Sequence, residues 1–195
     1  MTSNIRAAVA LTLTAVLFAP GALAAWTLDG TRSSVQFMTV KNASVAELHH
    51  FKVVAGRVSD EGAAQVTIDL DSVETLIPIR NQRLREMLFE TVRFPSATLN
   101  ARVPADLAEM KAGETRAVDL EVSIDLHGSI APYIAKTSVT RLADGSLQVA
   151  LMEPILVRAA DFGLAGGIEM LREVAGLQNI ATSVPVDATL VFTPE

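Results

Sequence analysis

The strictest constraint on this chain is a two-residue alternation of apolar and polar side chains. Val118, Leu120, Val122, Ile124 and Leu126 alternate with Asp119, Glu121, Ser123 and Asp125. Val66, Ile68 and Leu70 do the same against Thr67, Asp69 and Asp71. Leu147, Val149 and Leu151 repeat the period, as do Val184, Val186, Ala188, Leu190 and Phe192. A period of two gives each strand one buried and one wet face, as in antiparallel sheets. With residues 26–40, 51–59, 96–103 and 130–142, the pattern predicts about eight strands. Turn signals separate them at Asp60-Glu61-Gly62, Lys111-Ala112-Gly113-Glu114 and Asp144-Gly145. Such a set fits a sandwich or an up-and-down barrel; a closed barrel hides its edges and leaves room for side chains or one small ligand.

Two segments break the period. Residues 80–95 are entered through Asp71-Ser72-Val73-Glu74-Thr75 and closed by Arg93-Phe94-Pro95. Leu84, Met87 and Leu88 stand at i, i+3 and i+4, which predicts one apolar helix face. Arg80, Arg83, Arg85 and Arg93 fall in the same stretch. In residues 167–176, Ile168, Leu171 and Ala175 keep helical spacing between glycines. Short helices of this kind cap an open barrel end.

Residues 1–24 read as a secretory leader: a polar start with Arg6, an apolar run, and Ala22-Leu23-Ala24 before the cut. The apolar run is shorter than the roughly 20 residues that span a bilayer. Cleavage is expected between Ala24 and Ala25, leaving one domain over residues 25–195 and a periplasmic location. Removing the leader takes one cation from 16 Lys and Arg against 22 Asp and Glu, so the mature charge is about −7. Such a surface repels phosphate backbones, and no nucleic-acid partner is expected. The chain has no cysteine, which excludes thiol redox chemistry and a cysteine nucleophile.

The inventory for catalysis is sparse. His49 and His50 are adjacent, so on a strand they point to opposite faces and cannot easily share a metal; they read as solvated or structural, and no metal site is expected. Asp119, Glu121 and Asp125 fall on the wet face and read as solubility charges. Leu126-His127-Gly128 and Ala165-Gly166-Gly167 read as turn material. No catalytic triad, phosphate-cradling loop or dinucleotide fingerprint is present in the sequence. No catalytic residue is assigned, and a binding protein is expected ahead of an enzyme.

Several short motifs follow one another in a familiar order: Trp26-Thr27-Leu28-Asp29, Ser34-Val35-Gln36-Phe37, Lys41, Gly56-Arg57-Val58 and Asp71-Ser72-Val73-Glu74-Thr75. Arg80-Asn81, Leu84, Phe89 and Arg93-Phe94-Pro95-Ser96-Ala97-Thr98 come next, then Leu126-His127-Gly128 and Arg158-Ala159-Ala160-Asp161-Phe162-Gly163. In this the chain resembles the YceI-like family of exported polyisoprenoid-binding proteins over almost all of its mature length. It departs in having Asn81 where the family often has an acid, and Met87-Leu88-Phe89 in place of an acidic-aromatic-aromatic triplet. A loop carrying His49-His50 after Lys41 and an elaborate helix near residues 168–177 are further departures.

The resemblance implies an all-β, antiparallel, lipocalin-like barrel with one or two capping helices and an apolar cavity for an isoprenoid lipid. A polyprenyl quinone or polyprenyl phosphate is the expected ligand, and no other cofactor is expected. Burying such a tail yields roughly 0.8 kcal/mol per CH₂. The ligand contacts implied are Leu84, Met87 and Leu88 at the mouth, with Arg80 and Arg83 on a diphosphate or quinone oxygen. Asn81, Phe89, Phe94, Phe37, Phe51, Leu120 and Val122 complete the set. The partners implied are the lipid, transient contact with a membrane surface or membrane redox proteins, and at most a second copy in a homodimer. On the plainer reading, Leu84 and Leu88 are core anchors and the arginines a wet face. Two other functional classes stay open: an enzyme acting on an amphiphilic or isoprenoid lipid, with Asp161 and Arg158 as the pair to inspect, and a stress-related partner-binding protein with a filled barrel.

The leader makes a first prediction. N-terminal sequencing of the protein recovered from the exported fraction is expected to read Ala-Trp-Thr, from Ala25; a start at Met1 would refute the cut.

Overall fold

The computed structural model describes residues 25–195, so the leader expected over residues 1–24 lies outside the described residues. The strands are β1 (Trp26–Leu28), β2 (Ser34–Lys41), β3 (Val45–Phe51), β4 (Val54–Val58), β5 (Ala63–Asp69) and β6 (Val73–Glu74). After helix α1 (Pro78–Arg83) come β7 (Ser96–Arg102), β8 (Thr115–Leu126), β9 (Ser129–Arg141), β10 (Leu147–Leu151) and β11 (Ile155–Arg158). Helix α2 (Ala165–Val174) precedes the last strand, β12 (Ser183–Pro194). Eight strands close a ring in the order β1-β4-β5-β7-β8-β9-β10-β12, and β12 returns to β1 through Thr27↔Thr193 and Leu28↔Phe192. Each pairing in the ring is antiparallel. The closed barrel stands, and the open sandwich does not.

The remaining strands raise the wall at one end. β12 is the spine: along one edge it pairs with β1 and then β2, along the other with β10 and then β11. Residues 26–40, read as one strand, are two. The Asp29 carboxylate accepts from the Thr31 N–H (2.9 Å) and hydroxyl (2.6 Å), an Asx turn that ends β1. The loop expected after Lys41 is the hairpin β2–β3. Its tip has left-handed Asn42 and Ala43 and is pinned from outside the hairpin: Asn179 accepts from the Asn42 N–H (3.1 Å) and the Ala43 N–H (3.1 Å). Leu126-His127-Gly128 is turn material as expected. His127 and Gly128 both take positive φ, the mirror-image turn that a two-residue hairpin favours.

The core is divided between the barrel's ends. Trp26, Val58, Leu107, Met110, Val139 and Phe192 pack together at one end; Leu70, Val73, Leu84, Phe89, Phe162 and Ile168 pack under the helices at the other. Only a small buried group, Val122, Ala135 and Ile155, lies between. The middle of the barrel is not filled.

The insert between β6 and β7 is helical, but its second half is a π-helical turn, Leu84–Phe89, ending at a left-handed Glu90 whose N–H bonds to the Arg85 carbonyl. Bonds to the fifth residue back widen the turn, so residues four and five apart share a face. Leu84, Leu88 and Phe89 therefore face the barrel interior, and Met87 does not. This corrects the face expected from α-helical spacing.

Helix α2 lies directly on this turn. A Cβ at Gly167 would sit 2.7 Å from the Met87 carbonyl oxygen and 3.0 Å from Leu88 Cα, so only glycine permits the approach. Neighbouring Gly166 faces open space. Gly167→Ala is expected to destabilise by about 1–3 kcal/mol through overpacking against backbone. Gly166→Ala should change stability by less than about 1 kcal/mol, in the favourable direction. Urea melts of the two variants check this; equal effects would refute the close packing.

Candidate functional site

Between the two packed ends lies a cavity of about 580 Å³. Protein interiors ordinarily close to crystal-like density, so a void of this size is a site and not a packing defect. The alternation found in the sequence builds its wall: Leu120, Val122 and Ile124 from β8, Val149 from β10, and Val186 and Leu190 from β12 all point inward. Several of these, Leu120 and Leu190 among them, are only half-buried because they face empty space.

One end is shut. Trp26 is buried there, with the Arg141 guanidinium 4.7 Å over its ring and Leu107 and Met110 packed alongside. The other end is open. Ile77, Ile79 and Val174 line the cavity yet are 44, 53 and 45 % exposed, which makes them its rim. The mouth thus lies among α1, the tip of the β2–β3 hairpin and the C-terminal part of α2.

Polarity rises toward this mouth along the hairpin. The inward row of β2 runs Val35, Phe37, Thr39, Lys41; opposite it on β3 stand Phe51, His49 and Glu47. Phe37 lies 5.3 Å from Phe51 and 5.2 Å from the His49 ring, and Phe51 lies 6.0 Å from Phe89. Beyond this aromatic collar the Glu47 carboxylate is shared by Lys41 (2.5 Å) and Arg80 (2.6 Å). Arg80 also donates to the Thr75 carbonyl at 2.6 Å. Together these cations hold the Glu47 carboxyl below its ordinary range, with the Lys41 hydrogen bond the largest cause. Arg83 lines the cavity too, and among the described residues no acid pairs with it.

His49 is buried, 3 % exposed, with Nε2 3.0 Å from the Thr39 hydroxyl and Nδ1 buried without a partner. Burial pushes its pKa from 6.5 down to about 4, with the Arg80 charge acting in the same direction and Glu47 opposing. The imidazole is therefore neutral at neutral pH.

Of the ligand contacts expected from sequence, the cavity brings together Arg80, Arg83, Leu84, Leu88, Phe89, Phe37, Phe51, Leu120 and Val122. Three lie elsewhere. Met87 is turned away by the π-helical turn. Asn81 braces the chain before α1: its carbonyl oxygen accepts from the Thr75 N–H (2.9 Å) and hydroxyl (2.5 Å), and its amide donates to Glu74 (3.0 Å). Phe94 packs against His127 with ring centroids 4.3 Å apart and planes tilted by 51°, and supports the β8–β9 turn from outside the cavity. Sequence reasoning missed Lys41, Glu47 and His49 as lining residues. The signal was present: once residues 45–51 are a strand, His49 and Glu47 share the face of Phe51.

The pair considered for catalysis is placed away from this cavity. Asp161 accepts from the Tyr133 hydroxyl (2.9 Å) and from Arg158 (3.1 Å), and Arg158 is 70 % exposed. The Tyr133 hydrogen bond, with Arg158 second among the favourable partners, keeps the Asp161 carboxyl low. The arrangement locks β9 to the turn after β11. Of the remaining arginines in the insert, Arg85 donates to the Asp71 carbonyl (3.2 Å) and Arg93 pairs with Glu90 (2.7 Å).

His49 makes stability depend on pH. The unfolded chain takes up a proton near 6.5 that the fold accepts only near 4, so this contribution is complete above pH 6.5 and is lost as pH falls toward 4. The change is on the order of 3 kcal/mol for a depression of this size. His49→Gln retains a partner for Thr39 and cannot titrate, so the stability gap between parent and variant is expected to narrow steadily from pH 7 to pH 4. A gap constant with pH would refute the neutral, buried imidazole.

Comparison with known proteins agrees with this architecture. The family model of the YceI-like domain matches residues 26–192. A polyisoprenoid binding domain from Saccharophagus degradans, described as implicated in plant cell wall breakdown, is 40 % identical; the match covers 88 % of this chain and 99 % of that one, with a TM-score of 0.86. BcnA of Burkholderia cenocepacia, at 18 % identity, shares the fold with a TM-score of 0.66 over 85 % of this chain and 99 % of its own. The YCEI protein of Campylobacter jejuni, at 16 % identity, matches over 75 % of this chain and 84 % of its own with a TM-score of 0.50. No curated protein sequence matches. With a closed eight-stranded barrel, a hollow apolar interior and a family match over nearly every described residue, the chain belongs to the YceI-like family.

Proposed function

We propose that this protein is an exported, periplasmic carrier or reservoir for an isoprenoid lipid, with the tail in the barrel and the headgroup at the mouth. The observation that carries the reading is the cavity itself: about 580 Å³ of apolar space, with polar side chains concentrated beside one opening. A branched hydrocarbon fills such a space without needing any hydrogen bond from the wall, and each buried CH₂ contributes roughly 0.8 kcal/mol. The relative from Saccharophagus degradans, described as binding polyisoprenoid, supports the same ligand class.

The mouth favours a headgroup rich in acceptor oxygens. Lys41, Arg80 and Arg83 are donors only, and Glu47 offsets one of their charges. A quinone carbonyl and a phosphate oxygen both satisfy that chemistry. The surplus positive charge adds a salt-dependent preference for the phosphate. Arg83 is the group free to supply it, because Arg80 is committed to Glu47 and the Thr75 carbonyl. The family and the placement of Asp161 and Arg158 support binding over catalysis.

Solvent extraction of the protein purified from its exported fraction, followed by mass spectrometry, tests the reading directly. An isoprenoid lipid is the expected extract; an empty barrel that also fails to take up added polyprenyl lipid would overturn it. Arg83→Ala is expected to weaken a polyprenyl phosphate by about 1.5–3 kcal/mol, the worth of a charge-assisted contact, and a polyprenyl quinone by less. Equal losses for both lipids, at low and high salt, would remove Arg83 from the headgroup site.

A further inference from the structure

The cavity opens beside an apolar surface that no described residue covers. Leu76, Ile77 and Ile79 are 85, 44 and 53 % exposed, and Pro78 between them is exposed as well. The surface continues onto the outer face of the hairpin, where Leu48 (60 % exposed) stands directly opposite Met38 (39 %). The β3–β6 register pairs His50 with Glu74, so the chain beyond Glu74 runs on along β3 in the direction of Leu48. Single exposed apolar residues are ordinary; a contiguous group rimming a cavity marks an interaction surface.

This run is held rigidly in a conformation that disfavours leucine. Leu76 has φ +63°, in the left-handed region, and its N–H donates to the Glu74 carboxylate at 2.6 Å. Asn81 and Arg80 grip the preceding residue through the Thr75 N–H, hydroxyl and carbonyl. Hydrogen bonds thus fix an outward-pointing leucine that a packed surface would fold away. Ile77 and Ile79 belong both to this surface and to the cavity wall, so apolar contact is continuous from the exterior to the interior.

Charge selects the occupant. Around the lip stand Lys41, Lys52, Arg80, Arg83 and Arg85 against Glu47, Glu74 and Glu86, a local surplus of cations in a chain whose net charge is −6. Protruding aliphatic side chains backed by arginines match the apolar boundary and anionic headgroups of a lipid bilayer. We propose that residues 76–79 form a lip that inserts into the headgroup layer of a membrane, so that an isoprenoid passes between bilayer and barrel without crossing water. The proposal rests on the carrier reading above and adds where and how the cargo is exchanged.

The test uses Leu48→Asp together with Leu76→Asp, since neither side chain lines the cavity. Vesicles of phosphatidylcholine and phosphatidylglycerol carrying a polyprenyl quinone serve as the membrane, and the same quinone in detergent micelles serves as the solution control. The parent is expected to float with the vesicles and extract the quinone. The double variant should partition roughly a hundredfold more weakly, about tenfold for each leucine withdrawn from the apolar layer. Its extraction should slow in proportion, while its affinity in micelles should stay within about twofold, as for a surface change. A double variant that floats and extracts like the parent would overturn the lip and leave the carrier reading intact. So would a parent that binds quinone in micelles but never associates with vesicles, or a double variant that loses binding in micelles. A parent dimer that the substitutions dissolve, with no vesicle association, would assign the surface to a second copy instead. A parent that takes quinone from neither source fails the carrier reading, and its flotation still decides the lip.

Discussion

The pairing of β12 with β1 is the interaction on which the rest of the structure depends. It turns a row of antiparallel strands into a ring with no open edge, and a ring holds its shape through hydrogen bonds in the wall. Most domains keep their shape by filling the middle. A dry void in such a core costs roughly 24 cal/mol per Å³. At that rate a hollow of about 580 Å³ would equal or exceed a domain's typical stability. The hollow persists in spite of that cost because the wall cannot collapse inward without breaking the ladder. The two packed ends, one around Trp26 and one around Phe162, then brace the ring while the space between them stays available.

That division of labour explains why the polar groups are placed where they are. A charge in the middle of the tunnel would have no partner, so the hairpin confines Lys41 and Glu47 to its outer half, sets the neutral His49 beside Phe37, and keeps Val35 and Phe51 below. The helical insert completes the arrangement from the other side. Its π-helical turn presents Leu84, Leu88 and Phe89 to the tunnel, and Arg80, one turn earlier, reaches Glu47. Gly167 then lets α2 close down over the same turn.

Much of the barrel was legible in the sequence because parity is a local property. In Val118 to Leu126 every apolar residue faces inward and every acidic residue outward, as the alternation requires. The break between β1 and β2 was missed although Asp29-Gly30 is a turn dipeptide and residues 29–34 carry no apolar side chain to continue the alternation. The β2–β3 hairpin was missed because Val45 to His50 lacks a clean alternation: Leu48 is apolar on the outer face and Glu47 polar on the inner one. Met87 was misplaced because sequence spacing assumes α-helical geometry, and the switch to a wider turn leaves no mark in residue type. His49 was set aside as structural or solvated because its burial depends on neighbours distant in the chain. Asn81 and Phe94 sit in motifs that resemble the family's, yet their contacts are with Thr75 and His127 and not with the cavity.

The position of β12 has a consequence for how the molecule is made. Its partners lie at both extremes of the sequence, Trp26–Leu28 and Ser34–Phe37 on one edge and Leu147–Ala150 and Ile155–Arg158 on the other. Until residues 183–194 arrive, β1 and β10 each present an unpaired row of backbone groups, and such edges are templates for another chain. Pairing over this separation is slow. The ring is therefore finished by its last strand, and a molecule that has lost that strand's hold is poised to accept the same strand from a neighbour. Strand exchange between two copies would regenerate every native hydrogen bond, so self-association by swapping is the characteristic hazard of this closure.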